Sequence, residues 1–185
     1  RLLCDAHRLL LNGVRGSGKQ PGELRRSQNW IGGTRPGNAT FVPPPAERVA
    51  DLLADVERFI HAESVATPAL PPLVKIALVH AQFETIHPFL DGNGRIGRLL
   101  IAVLLEHWRL LPEPLMYLSA YLKQHQSAYY HQLSAIRTQG DWEGWVSFFL
   151  EGVAAAASMS AVTLRSLAAS PITGTGTALA SCTIS

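Results

Sequence analysis

The run His87-Pro88-Phe89-Leu90-Asp91-Gly92-Asn93-Gly94-Arg95-Ile96-Gly97-Arg98 stands between two strongly apolar stretches, Leu73 to Phe83 before it and Leu99 to Leu105 after it. It holds a titratable base, a carboxylate, a glycine-flanked turn and two arginines, which suits gripping a polyphosphate and deprotonating a nucleophile beside it. Pro88 disfavours the α region for its predecessor, so the first helix should end near Ile86 or His87, with His87 turned into the loop. Gly92 and Gly94 let backbone amides approach a ligand closely, because no Cβ intervenes. A second helix beginning near Gly94 would point its free amides and positive dipole end at the same place, a ready anion site. Arg95 and Arg98 are three apart and so share a helical face, and guanidinium forks match phosphate oxygens. Asp91 makes sense beside phosphates when Mg²⁺ lies between them, bridging a carboxylate to the substrate.

The pattern His-x-Phe-x-Asp-Gly-Asn-Gly-Arg-x-x-Arg, filled here at every defined position, resembles the signature of the Fic/Doc family. The resemblance implies transfer of AMP from ATP to a hydroxyl of a target protein. It makes His87 the general base and Asp91 the Mg²⁺ ligand. Gly92, Asn93 and Gly94 would form the anion hole, Arg95 and Arg98 would hold the outer phosphates, and Phe89 would anchor the loop in the core. Taken singly, each feature has a plainer reading: a structural histidine, an ordinary Gly-Asn-Gly turn, a solvated arginine pair. Their coincidence in one window favours the site. A metal reading also exists, since His80, Glu84 and His87 recur on one helical face.

At 185 residues the chain suits one domain with a real core. The apolar fraction is 47% against 16% charged, and a net charge of +2 is too small to argue for a nucleic-acid partner. No apolar run approaches the roughly 20 residues of a membrane span. Cys4 and Cys182 lie near opposite ends, which suggests no disulfide framework and makes a reducing cytoplasm the expected compartment. Residues 1–169 read as the domain, and residues 170–185, small and polar, as a poorly ordered tail. The chain opens at Arg1 within a helical run and so reads as a fragment.

Leu2 to Leu11 is a short helical stretch followed by Asn12-Gly13-Val14-Arg15-Gly16-Ser17-Gly18-Lys19-Gln20. Gly13, Gly18 and Lys19 have P-loop spacing, but Gln20 replaces the Ser or Thr that would hold Mg²⁺, and no strand precedes, so this is a loop. Gln28 to Gly33 and Ala39 to Val42 read either as a β-hairpin with a long connection or as a surface loop. The resemblance favours the hairpin, a flap that positions the target segment, with Asn29, Trp30, Ile31 and Gly32 nearest the nucleotide. An exposed strand edge can pair with an extended peptide. Helices are expected over Val49 to Glu63, from Leu73 to the motif, Arg95 to Trp108, Leu115 to His125, Gln126 to Arg137 and Trp142 to Met159. Tyr121, Tyr129 and Tyr130 are either core aromatics or an adenine wall. The resemblance places Tyr129, Tyr130 and Arg137 near the nucleoside, with spacing to Gly140-Asp141 one residue long.

The expected fold is all-α, a helical bundle with one β-hairpin flap over the active site. The expected partners are ATP with Mg²⁺ and a protein target along the flap, with self-modification and a homodimer as further readings. The alternatives are transfer of a phosphate or another phosphodiester-linked group, removal of AMP, or nucleotide sensing without turnover. Gly94 favours AMP transfer, because a bulky residue there would crowd the outer phosphates. Family members are often restrained by a helix of pattern Ser/Thr-x-x-x-Glu-Gly/Asn, whose glutamate pairs with the second motif arginine, here Arg98. Ser147 to Gly152 matches it, but inside an apolar helix, so the match is read as accidental and the chain as uninhibited.

Overall fold

A computed structural model of the chain describes residues 1–62, 70–110 and 116–169. Among the described residues seven α-helices follow in order: α1 Leu2–Leu10, α2 Val49–His61, α3 Pro72–Ile86, α4 Asn93–His107, α5 Met116–Gln124, α6 Gln126–Gln139 and α7 Trp142–Ala169. The centre is α3, which packs on α2, α4 and α7. Its sequence is apolar nearly all round, as a helix surrounded by others must be, and Ile76, Ala77, Val79, Ala81, Phe83 and Ile86 are all buried. From α7, Trp145 and Phe149 fill the space beside it; the Trp145 indole donates to the Ala77 carbonyl at 2.9 Å and stacks near His80.

The all-α expectation holds among the described residues, which contain helices and turns but no strand. The hairpin reduces to one antiparallel bridge, with the Ile31 amide donating to the Phe41 carbonyl at 2.9 Å and the Phe41 amide returning a bond at 3.1 Å. The intervening chain has other partners. Gly32 and Gly33 take positive φ, Pro36–Asn38 forms a 3₁₀ turn, and the Asn38 side chain accepts the amides of Thr34 and Arg35. Local turn bonds therefore replace the ladder. Helix α7 also runs past the expected Met159 to Ala169, since no proline interrupts the sequence before Pro171. The tail expected from residue 170 lies outside the described residues. Among the described residues no helix is long and apolar enough to cross a membrane.

Trp145→Ala should destabilise the fold by about 3–5 kcal/mol, through lost burial and the cavity left behind. Urea denaturation of the two proteins would measure it. A change within the error of the midpoint would show that α7 is not clamped on α3 as described.

Candidate active site

Helix α3 ends at Ile86, and the turn after it carries the chemistry. His87 caps the helix in the left-handed region, at φ 50° and ψ 60°. The residue before a proline prefers extended backbone, so this conformation departs from the expectation and carries strain of about 1–3 kcal/mol. Its physical reason is a set of donors on the loop after α1. Arg25 donates from Nε to the His87 carbonyl at 2.9 Å and from Nη2 to the carbonyls of Ile86 and Pro44, while its amide donates to the Pro88 carbonyl. Asn29 Nδ2 adds bonds to the carbonyls of His87, at 3.3 Å, and Phe89, at 3.1 Å. Arg25 is 2% exposed, and burial lowers its pKa.

Phe89 is fully buried and stacks on His7 at 3.8 Å with 9° between the rings. His7 accepts the Gly22 amide at Nδ1, so Nε2 carries its proton and donates to the Asp91 carbonyl at 2.9 Å. Asn93 is also buried, and its side chain both accepts the Phe89 amide and donates to the Phe89 carbonyl. Asn93 thus closes the loop with its side chain, leaving only its backbone amide for an anion. Gly92 is the N-cap of α4 at φ 81°, where glycine has no steric penalty. Its own amide donates to the Asp91 carboxylate. The amides of Asn93 and Gly94 begin the helix with no acceptor among the described residues.

These residues border one cavity of about 820 Å³, lined by His87, Asp91, Gly92, Asn93, Gly94, Arg95 and Arg98. Arg15 and Lys123 join it, as do Tyr129 and Tyr130, so four cationic side chains face a single carboxylate. Arg98 lies over Gly94, where a Cβ would meet its guanidinium at 3.4 Å. Arg95 donates to the Arg15 carbonyl at 3.0 Å and stands 3.7 Å from the Asp91 carboxylate. The His87 imidazole is pushed down to about 4, chiefly by burial. Arg137 and Arg25 push the same way, while the Glu84 carbonyl and Asp91 oppose them. The ring is therefore neutral near pH 7, and its Nδ1 is buried without a hydrogen-bond partner.

The remaining expectations divide. Tyr130 is 56% exposed and forms open wall, whereas Tyr129, though it also borders the cavity, is nearly buried and its hydroxyl donates to His80 Nε2 at 3.0 Å. Tyr121 packs on His125 and Phe148 and does not line the cavity. Arg137 also lies outside the lining; it sits 3.8 Å over the Phe41 ring and donates to Thr85 and to the Glu84 carbonyl, tying the bridge segment to α3. Trp30, Ile31 and Gly32 do not line the cavity either, and Asn29 reaches the site only through the two loop carbonyls. Both nitrogens of His80 are engaged, Nδ1 by the Gly97 carbonyl and Nε2 by Tyr129. That removes the His80-Glu84-His87 metal reading, and no such cluster occurs among the described residues. Glu151 is exposed and off the cavity, while Phe148 and Phe149 are buried beside it. Sequence reasoning missed Arg25 and His7, whose only prior signal was a polar residue beside a loop.

The family model described as Fic/DOC family matches residues 1–105. The chain belongs to the Fic/DOC family. It is similar to the proteins named Protein adenylyltransferase Fic of Drosophila erecta, 35% identical over 130 residues, and of Drosophila melanogaster, 34% identical over 149 residues. Those alignments cover 70% and 80% of this chain but 23% and 27% of the relatives, so the chain spans about a quarter of their length. A Fic family protein from Desulfovibrio desulfuricans G20 superposes with a TM-score of 0.72 at 31% identity, over 88% of this chain and 47% of that one. Fic-1 of C. elegans shares the fold, with a TM-score of 0.65 at 23% identity, over 89% of this chain and 43% of that one.

A histidine whose folded pKa lies below its unfolded value, about 6.5, contributes stability at higher pH that is lost as pH falls through 6.5 toward 4. Nuclear magnetic resonance of the imidazole should accordingly show His87 neutral from pH 8 down to about 5 in the free protein. An ordinary midpoint near 6.5 would show the ring to be solvated.

Proposed function

We propose that this chain is a protein adenylyltransferase: it binds ATP with Mg²⁺ in the cavity at the α3–α4 turn and transfers AMP to a Ser, Thr or Tyr hydroxyl of a protein target. One observation carries the reading. A neutral buried imidazole, a carboxylate, a helix N-terminus with free amides and four cationic side chains share one cavity of about 820 Å³. A polyanion beside a base explains that set; phosphate binding alone needs no base. The names of the relatives favour the same activity.

In this reading His87 accepts the hydroxyl proton as the oxygen forms a bond to the α-phosphorus, and the bond to the leaving pyrophosphate breaks. General-base help is worth about 10²–10⁴-fold. The amides of Asn93 and Gly94 and the guanidinium of Arg98 hold the phosphates, stabilising charge where it develops. Bound phosphates add negative charge beside a ring that burial has made a weak base, and so raise its proton affinity. The residues fit Mg²⁺: Asp91 offers a part-exposed carboxylate, and only the missing Cβ of Gly16, which would stand 2.9 Å from Asp91 Oδ2, leaves that oxygen clear. When bound, the ion would neutralise phosphate charge, with Asp91 as its protein ligand and the phosphates supplying further oxygens.

Residues 29–42 would act as the flap, presenting the target hydroxyl through an exposed edge next to the Ile31–Phe41 bridge. We infer residues 1–169 to be one catalytic domain and, from the two separated cysteines, a reducing cytoplasmic setting.

ATP labelled at the α-phosphate should pass its label to protein, while label at the γ-phosphate should stay in pyrophosphate; the opposite pattern would make the chain a kinase. His87→Ala should lower transfer by about 10²–10⁴-fold with ATP affinity little changed, and calorimetry showing binding lost as well would reassign His87. Asp91→Ala should make ATP affinity independent of Mg²⁺, and persistence of that dependence would sink its assignment.

Ile31→Pro removes the amide that donates to Phe41 and disrupts the bridge. Modification of a protein target should fall far more than ATP binding. An unchanged rate on the target would reduce Trp30-Ile31 to a surface loop.

A further inference from the structure

The glycine-rich loop after α1 has P-loop spacing in the wrong context, yet it is not idle. Its start is set by Leu11, which is fully buried, and its far end by Gly22, whose amide donates to His7 Nδ1 at 2.8 Å. Between these anchors the backbone folds on itself, Ser17 to the Val14 carbonyl at 3.0 Å and Lys19 to the Gly16 carbonyl at 2.9 Å. The middle is then pinned to α4 by Arg95, which donates across 80 residues to the Arg15 carbonyl. Gly16 lies so close to the motif that a Cβ would stand 2.9 Å from Asp91 Oδ2 and 3.4 Å from Arg95 Nη2. Its φ of +97° is one that residues with side chains rarely adopt.

Arg15 itself lines the cavity that holds His87 and Arg98. Its side chain is exposed, and no carboxylate or carbonyl accepts from its guanidinium among the described residues. An exposed loop arginine is ordinarily a solvated one. Here the backbone is fixed on both sides, the position faces a site built for anions, and the motif arginine expected to serve phosphate spends Nη2 on holding this loop.

We propose that Arg15 is a phosphate-binding residue, and that the loop Asn12 to Gln20 is a wall of the nucleotide site that favours ATP over AMP. The inference rests on the nucleotide reading of the cavity given above. Arg95 acts partly as the strut that places Arg15, while Arg15 and Arg98 contact the outer phosphates from different sides. Guanidinium–phosphate contacts are charge-assisted and bidentate, so an arginine here does what a lysine does only in part.

Calorimetric titration of the whole chain with Mg²⁺ and ATP, ADP or AMP tests this. Arg15→Ala should weaken ATP about tenfold, the scale of one lost charge-assisted bond, and leave AMP within about twofold. Arg15→Lys should recover part of the loss, and the melting temperature of both variants should match the parent, since the side chain is exposed. If the parent binds ATP and Arg15→Ala binds it equally well, the inference fails while the nucleotide reading stands. Equal losses for ATP and AMP would also overturn it, as would a variant that binds nucleotides normally and loses only modification of a protein target. A parent chain that does not bind ATP would overturn both.

Discussion

A single buried guanidinium holds the site in shape. The last turn of α3 leaves carbonyls that no helical amide can satisfy, and Arg25 takes those of Ile86 and His87, together with that of Pro44 from beyond the bridge segment. Five N–H donors in a rigid fork make this possible, and an ammonium could not span the same acceptors in one plane. No carboxylate pairs with Arg25 within ion-pair distance among the described residues; carbonyl dipoles stabilise the charge, with Glu47 assisting at longer range. These bonds offset the strain of a left-handed His87 and fix where its ring stands. The segment that carries the Ile31–Phe41 bridge and the loop that carries the base therefore share one fastener.

Behind the cavity lies a layer of buried polar groups that ordinary core packing would not need. His80 donates to the Gly97 carbonyl and accepts from Tyr129, fixing one tautomer. Glu84 lies against Gly97, where any Cβ would strike its carboxyl and crowd His80. Burial raises the Glu84 pKa to about 7, against the pull of Arg98 and Arg137. A glycine at 97 is thus explained by close packing of α3 on α4, and the resemblance, which defines no residue there, gave no reason for it. The same packing puts a titratable carboxyl beside Arg98, so the field at Arg98 depends on whether Glu84 is charged.

How much of this was legible beforehand follows from the range of each interaction. The apolar runs around the motif announced α3 and α4, since a helix buried on all sides must be apolar on all sides, and Pro88 set the end of α3. The Asp91–Arg98 window was readable because its groups are adjacent in sequence and meet on one turn. Arg25 and His7 were not, because their partners lie about 60 and 84 residues away and nothing local marks a buried arginine. The hairpin was overread: β-prone residues at 28–33 and 39–42 suggested a ladder, but Gly32, Gly33, Pro36 and Asn38 offered the backbone turn bonds instead. Arg137 was placed by pattern near the nucleoside, whereas its guanidinium is spent on Phe41, Thr85 and Glu84.

The electrostatics of the cavity explain why a weak base can occupy it. Arg25 and Arg137 both disfavour a charged His87, and burial does so more strongly. In an empty site the ring therefore stays neutral, able to accept a proton. A polyphosphate bound at the amides of Asn93 and Gly94 would add negative charge against the pull of Arg25 and Arg137, and so raise the proton affinity of the ring. The imidazole would become a better proton acceptor only with substrate present. Placing cations and base in one low-dielectric pocket couples the two, since interactions screened in water are felt strongly there. On the proposed reading, proton transfer at His87 would be tied to occupancy of the phosphate site, and no moving part would be required for that link.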